Sequence, residues 1–307
     1  MSEQGQASAQ KPQFGIYALF RRIKLLTKPN LYLGGIIMLI DFHTHAFPDK
    51  LAERAMSTLS SKVDFPAETD GTISALLDKM DADGVDISVV CNIATNPRQN
   101  INVNLFAVDT LNKHSDRLVP LGSIHPDFPS PAEEIEKLHS AGIKGLKLHP
   151  DYMERVIDDP SYDEIFTLAA EYDMFILIHA GFDVYSPNKI HASPDAVLNR
   201  LSRSPKTKLI AAHFGGNALY NEVSEKLIGK NLFIDTSMGT RFGLDKATAE
   251  KMLARHGSDM ILFGSDCPWC SAKETYDFIS SLALTDDLKD KIFSGNAKKL
   301  LKIRYPH

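Results

Sequence analysis

Eight short apolar runs, at residues 38–42, 87–91, 118–124, 145–148, 175–178, 209–212, 232–234 and 260–263, alternate along this chain with stretches that read as helices. That rhythm is the pattern of βαβ units and therefore of a parallel sheet. The helical stretches carry signals of their own. In 72–82, Ile73, Leu76, Leu77 and Met80 fall on one helix face. In 131–141, Pro131 occupies the first helical position, Glu133 and Glu134 sit in the first turn, and Gly142 ends the segment. Further helices are expected at 160–172, 194–201, 218–227, 246–256 and 274–282, with a last one starting at 294–297 and running through Leu301. Eight strands separated by helices predict an α/β fold, a (β/α)8 TIM barrel, better than two domains. A doubly wound open sheet shares the rhythm and is the alternative.

The chain has 307 residues, enough for one such barrel with a full core. The barrel domain is expected at 38–307 and an N-terminal extension at 1–37. Residues 1–13 are polar and small and read as disordered. Residues 14–28 mix apolar positions with Arg21, Arg22 and Lys24, and an apolar run follows at 31–40. This layout imitates a signal peptide, but no small-residue cleavage site separates it from Asp41-Phe-His43-Thr-His45. We read it as a dispensable extension, with Met38 as an alternative start; a membrane-surface helix is the weaker reading.

Composition removes several classes of function. A net charge of −5 with no basic block gives no footprint for nucleic acid. No apolar run reaches the ~20 residues of a membrane span. Three cysteines, Cys91, Cys267 and Cys270, make no disulfide framework and fit a cytoplasmic protein.

Chemistry is concentrated where the apolar runs end. In a parallel barrel, active sites form at the C-terminal ends of the strands. Strand 1 ends in His43-Thr-His45, strand 3 in His125, strand 4 in Lys147-Leu-His149, strand 5 in His179, strand 6 in His213, strand 7 in Asp235-Thr-Ser237 and strand 8 in Asp266. Side chains at i and i+2 of a strand leave the same face, so His43 and His45 can share one ion. One such pair is a weak signal. Histidines after strands 5 and 6 and an aspartate after strand 8 make it strong, because all strand ends converge on the barrel axis.

The segments Asp41-x-His43-x-His45, Ile178-His179-Ala-Gly181, His213-Phe-Gly-Gly216 and Gly264-Ser-Asp266-Cys-Pro268 resemble the amidohydrolase superfamily. The nearest branch is the amidohydrolase-related one, with aminocarboxymuconate-semialdehyde decarboxylase and the resorcylate decarboxylases. The resemblance runs over residues 38–303. It implies a metal-dependent enzyme with His43, His45, His179 and Asp266 around one divalent ion, and His213 beside the ion's open position. Imidazole and carboxylate ligands suit Zn2+. Two-metal members carry a carboxylated lysine after strand 4. Here that strand offers Lys147, read as lining the barrel, and His149, read as a pocket residue or an extra ligand, which leaves room for a second metal.

Two chemistries compete on this site. The first is hydrolysis of an ester, amide or lactone through an activated water, with Asp266 taking the proton and His213 facing the oxyanion. The second is non-oxidative decarboxylation of a small carboxylic acid. Candidate substrate-pocket residues are His149, His125, Phe47, Tyr152 and Arg241, the last as a carboxylate holder. The partner is then a small molecule, and the resemblance implies a homodimer. A catalytically silent, ligand-binding barrel is the contrasting class, and the full ligand set argues against it. Asp41 is a partner for an imidazole or a turn residue. His114, His139, His191, His256 and His307 are expected in solvent. Cys267-Pro-Trp-Cys270 invites a redox or zinc reading, but a loop packing Trp269 at the mouth is favoured.

Overall fold

The computed structural model describes residues 31–32, 35–36 and 38–303. The chain divides into two units, residues 1–36 and 37–307. Of the first, the described part is an antiparallel ribbon of Leu31–Tyr32 against Gly35–Ile36. The expected disorder of 1–13, the helix weighed for 14–28 and the solvated His307 lie outside the described residues.

Within the second unit all eight apolar runs form strands. They are β1 (Ile40–Thr44), β2 (Ile87–Cys91), β3 (Leu118–Leu121), β4 (Gly145–Leu148), β5 (Phe175–Ile178), β6 (Leu209–Ala211), β7 (Phe233–Asp235) and β8 (Ile261–Leu262). All neighbouring pairs are parallel, in two sheets ordered β1-β2-β3 and β4-β5-β6-β7-β8. Isolated bridges join the sheets at both seams, Gly122 to Leu146 between β3 and β4, and Thr44 to Cys267 between β1 and the end of β8. The second seam is reinforced by Phe42 N–H to the Phe263 carbonyl at 2.7 Å and Asp266 N–H to the His43 carbonyl at 2.7 Å. The fold is a (β/α)8 barrel whose ladder is interrupted at these seams.

Two apolar clusters follow from the two-residue strand period. Val89, Leu121, Phe175, Leu177, Ile210 and Leu262 face inward with Ile40 and Phe42. The alternate residues, such as Val90, Leu146, Ile176, Ile178 and Ile234, pack outward under the helices. β1 carries a register irregularity between Asp41 and Thr44. Such a bulge re-aims the side chains after it, so Phe42 packs in the inner cluster and His43 also turns inward.

The helices that follow the strands include α1 (Asp49–Ser60), α2 (Ile73–Asp83), α3 (Asn100–His114), α4 (Pro131–Ser140), α5 (Asp163–Glu171), α6 (Pro194–Arg203), α7 (Tyr220–Lys226), α8 (Lys246–Arg255) and α9 (Ala272–Ser280). The ends of α2, α6, α8 and α9 follow cap chemistry. Thr72, Ser193, Asp245 and Ser271 each accept a backbone N–H of the first turn. Of these nine helices, α1 and α3 had no expectation in the sequence. The reason is visible in α3, which buries Asn100, Asn104 and Thr110 beside Ala107. Its inner face is polar because Asn100 Nδ2 donates to the Ser123 carbonyl and Asn104 Nδ2 to Glu134.

Two solvated-histidine expectations are corrected. His191 is buried, with Nδ1 2.9 Å from Asp151 Oδ1, and His256 is buried, with Nε2 2.9 Å from the Leu232 carbonyl. Each has a partner reached only across the fold.

Gly181, just past β5, shows how tightly the strand-end loops are packed. Its φ is +88°, and an added Cβ would lie 2.1 Å from Asn217 N. Only glycine tolerates both conditions. A Gly181→Ala variant is expected to lose roughly 2–4 kcal/mol of stability, read as a lowered urea midpoint. The three thiols are free and buried. Burial pushes the Cys91 thiol up to about 12 and Cys270 to about 11, and holds Cys267 well above the ordinary range. Native protein at pH 8 is therefore expected to resist iodoacetamide, and to react at all three thiols once unfolded. Fast labelling of the native state would restore the redox reading.

Candidate active site

The strand ends bring a set of ionisable side chains to the floor of one cavity of about 730 Å³. His43, His45, Lys147, His149, His179, His213 and Asp266 all line it. The orientation of each imidazole follows from what its inner nitrogen meets. His43 Nδ1 lies 2.9 Å from Asp235 Oδ2; a carboxylate only accepts, so Nδ1 carries the proton and Nε2 the lone pair. His45 Nδ1 lies 2.9 Å from the Cys91 carbonyl, which gives the same tautomer. Both Nε2 atoms then face Asp266 Oδ1, at 3.4 Å from His43 and 3.0 Å from His45. Lys147 Nζ stands 2.9 Å from His43 Nε2.

Asp266 Oδ1 is buried and has no aligned hydrogen bond. Lone pairs aimed at a carboxylate oxygen without an aligned donor leave room for a cation, beside the Lys147 amine that meets His43 Nε2. The donor set, imidazole nitrogens with other N–H groups held by a carboxylate or a carbonyl, is the chemistry of a divalent metal site. His43, His213 and Asp266 present ligand atoms all within 4.8 Å of one another. Burial favours the neutral ring of His43 and holds its pKa, and that of His213, well below the usual value.

The next pair is His213 with His179. Ser237 Oγ donates to Asp235 Oδ1, so it accepts from His213 Nδ1 at 2.8 Å. His213 Nε2 is then the acceptor for His179 Nδ1 at 3.0 Å. Of the residues expected around one ion, His43, His45 and Asp266 come together directly. His179 reaches them through His213, and its Nε2 points instead toward Asp183. His213 and Asp266 both have positive φ, 59° and 72°. Left-handed backbone in non-glycine residues is strained and collects at functional positions.

Of the expected pocket residues, Phe47, His149 and Tyr152 line the cavity. The ring of His149 stacks on Tyr152 at 3.7 Å and on His179 at 4.3 Å. Trp269 lines the same cavity, so the Cys267–Cys270 loop sits at the mouth. Two expectations are corrected. His125 lines a neighbouring cavity, because its Nδ1 is turned back to accept the Asp127 N–H at 3.1 Å. Arg241 is absent from the lining. Its Nη2 is 2.6 Å from Glu274 Oε2 and 3.7 Å from Glu68 Oε1, and its guanidinium lies over Phe65. Asp41 orients no imidazole. It accepts the backbone N–H groups of His43 and Ser265 and so pins β1 to the loop after β8.

Sequence reasoning named Asp235 and Ser237 only as the end of β7 and overlooked Asp183. Asp235 carried a signal, since it closes its strand as the other site residues do. Asp183, four residues past His179, carried none that separates it from an ordinary loop aspartate.

Cations stand at the outer part of the cavity. Arg54 and Lys62 from the α1 region and Arg98 after β2 are exposed and line it, whereas Asp183 and Asp266 are its acidic lining residues. No helix among the described residues is long and apolar enough to cross a membrane.

Comparison with known proteins agrees with the barrel fold. The fold is similar to that of 5-carboxyvanillate decarboxylase from Sphingomonas paucimobilis, at 17% identity and a TM-score of 0.68, over 87% of this chain and 100% of that one. It is similar to a putative amidohydrolase from Staphylococcus aureus, at 20% identity and a TM-score of 0.66, over 87% and 100% of the two chains. It is also similar to 5-carboxyvanillate decarboxylase from Novosphingobium aromaticivorans complexed with manganese and 4-hydroxy-3-methoxy-5-nitrobenzoic acid, at 16% identity and a TM-score of 0.65, over 87% and 96%. No curated protein sequence matches the chain. The amidohydrolase family model matches residues 40–303, which spans every barrel strand and the whole histidine–aspartate cluster, and the chain is therefore an enzyme of the amidohydrolase family.

Proposed function

We propose that this enzyme is a metal-dependent, non-oxidative decarboxylase of a small carboxylic acid, with His43, His45 and Asp266 holding the ion and His213 beside it. The carrying observation is the cavity itself, with cations Arg54, Lys62 and Arg98 outside and an unpaired Asp266 oxygen among imidazoles at the floor. Such a gradient draws in an anion and seats its carboxylate against a cation. The solved decarboxylases of similar fold support this reading over hydrolysis, which was the first expectation from the sequence. Manganese in the Novosphingobium enzyme puts Mn2+ beside Zn2+ as the candidate ion.

When bound, the metal supplies positive charge that holds a substrate carboxylate and a neighbouring oxygen. The chain's own groups do the rest. Apolar side chains such as Phe47, Leu59 and Phe106 line the cavity around the substrate. The bond from the substrate carbon to its carboxylate breaks, CO2 leaves, and the electron pair stays on the carbon. A proton replaces the lost CO2, and His213 and Asp266 are the residues we assign to its transfer. Asp235 orients the site by fixing the tautomer of His43, and through the Ser237 hydroxyl that of His213. The free thiols suit a reducing compartment, and the cytoplasm is our proposed location.

The test is CO2 release from a panel of hydroxylated aromatic acids by metal-loaded enzyme, run beside ester and lactone cleavage. CO2 release that Asp266→Asn lowers by at least about 100-fold is expected. Ester or lactone cleavage with no CO2 would return the assignment to hydrolysis. Asp235→Asn should weaken metal retention by about 10–100-fold, measured by competition with a chelator. Unchanged retention would remove Asp235 from its orienting role.

A further inference from the structure

The cavity is larger than a one-ring acid needs. Its volume is about 730 Å³. Pockets of roughly 300–1,000 Å³ take ligands of drug size, so a single ring with its carboxylate fills only a part of this one. Helix α1 carries the extra wall. Its buried side chains are Ala52 and Met56. A second apolar stripe, Leu51, Ala55 and Leu59 at i, i+4 and i+8, lines the cavity instead. A helix on a barrel ordinarily turns one apolar stripe to the core and polar residues elsewhere. Leu51 is nevertheless 55% exposed, and Ala55 and Leu59 are half-buried. From Leu51 to Leu59 the stripe runs about 12 Å, longer than one aromatic ring. Val103 and Phe106, at i and i+3 of α3, add apolar surface to the same cavity.

Charge is divided between the two ends. Arg54 lies within α1, Lys62 just past its end, and Arg98 in the turn Pro97–Gln99 after β2. All three are exposed and line the cavity, and none has an ion-pair partner among the described residues. The acids lining the cavity, Asp183 and Asp266, are both buried. A carboxylate seated at the buried floor is out of reach of side chains exposed at the mouth. The mouth cations are therefore left for a second anionic group, one separated from the first by an apolar body that matches the α1 stripe.

We propose, resting on the decarboxylase reading above, that the substrate is an elongated dianionic acid. One carboxylate sits at the floor, an apolar body the length of two rings lies along α1 and α3, and a second oxyanion meets Arg54, Lys62 and Arg98 at the mouth. The floor carboxylate is the one lost as CO2, and the outer oxyanion stays in the product. Guanidinium groups suit that outer role, since their paired N–H donors match the two oxygens of a carboxylate.

The experiment is titration calorimetry of the metal-loaded full chain with three probes: benzoate, a biphenyl monocarboxylate, and the biphenyl dicarboxylate with its acids at opposite ends. The two-ring monoacid is expected to bind at least about 10-fold tighter than benzoate. The diacid should gain a further factor of about 3–10. The triple variant Arg54→Gln, Lys62→Gln, Arg98→Gln should erase the second gain and keep the first. The double variant Leu51→Gln, Leu59→Gln should cut the first gain to under about 3-fold. Each readout is a ratio within one folded protein, checked by circular dichroism, so a general loss of stability does not imitate it. Equal affinity for all three probes, or a diacid preference that survives the triple variant, would overturn the proposal. So would a wild-type dimer that the double leucine variant converts to monomer in sedimentation, because the stripe would then be covered by a second copy. CO2 release decides the underlying reading separately. Equal binding together with CO2 release from one-ring acids ends this proposal and leaves a decarboxylase. The expected ratios without CO2 from any acid keep the elongated pocket and end the decarboxylase.

Discussion

A single buried carboxylate, Asp235, holds the catalytic end of the barrel together. One oxygen meets His43 Nδ1, and the other accepts the backbone N–H groups of His213 and Ser237 at 3.0 Å each, together with the Ser237 hydroxyl. Three strand ends, β1, β6 and β7, therefore converge on one side chain that has no access to water. In a low-dielectric interior an unpaired carboxylate is costly, so every one of these contacts is enforced by the same penalty. Once they form, the proton on His43 is assigned, and the Ser237 hydroxyl hands the assignment to His213 and then to His179.

That chain of donors explains why the floor of the cavity presents lone pairs rather than N–H groups. The rings of His43, His45, His213 and His179 each spend a proton on a structural partner, whether carboxylate, carbonyl, hydroxyl or another ring. What remains exposed toward the cavity is acceptor against acceptor, with Lys147 the buried amine among them. Burial lowers the Lys147 pKa. The seam between β1 and β8 belongs to the same economy of partners. Asp41 ties the backbones of His43 and Ser265 together, which places Asp266 against the first two histidines.

The strain at the strand ends is consistent with this. His213, Met238 and Asp266 adopt left-handed backbone that the surrounding contacts must maintain. Gly181 is where the loops after β5 and β6 press closest, with its N–H donated to the Ala192 carbonyl at 2.9 Å and Phe182 N–H to the Asn217 carbonyl at 2.9 Å. Precision at the site is thus supported by packing one layer away from it.

From the sequence alone, the barrel was legible because strand and helix periods are local properties. Each run from β1 to β8, and each capped helix such as α2 or α6, is set by neighbours within a few residues. The convergence of His43, His45 and Asp266 was legible too, since strand ends of a barrel must meet. Helix α3 was not, because the apolar signal is weak where buried positions are asparagines satisfied across the fold. The side to which a ring nitrogen points was not legible either. It depends on partners such as Asp235, 192 residues from His43, and Asp151, 40 from His191. Tertiary structure alone decided that Arg241 is held by Glu274 away from the cavity, that His125 serves its own turn, and that His179 faces Asp183. Local sequence determines which side chains arrive at the mouth; the long-range competition for protons and partners decides what they do there.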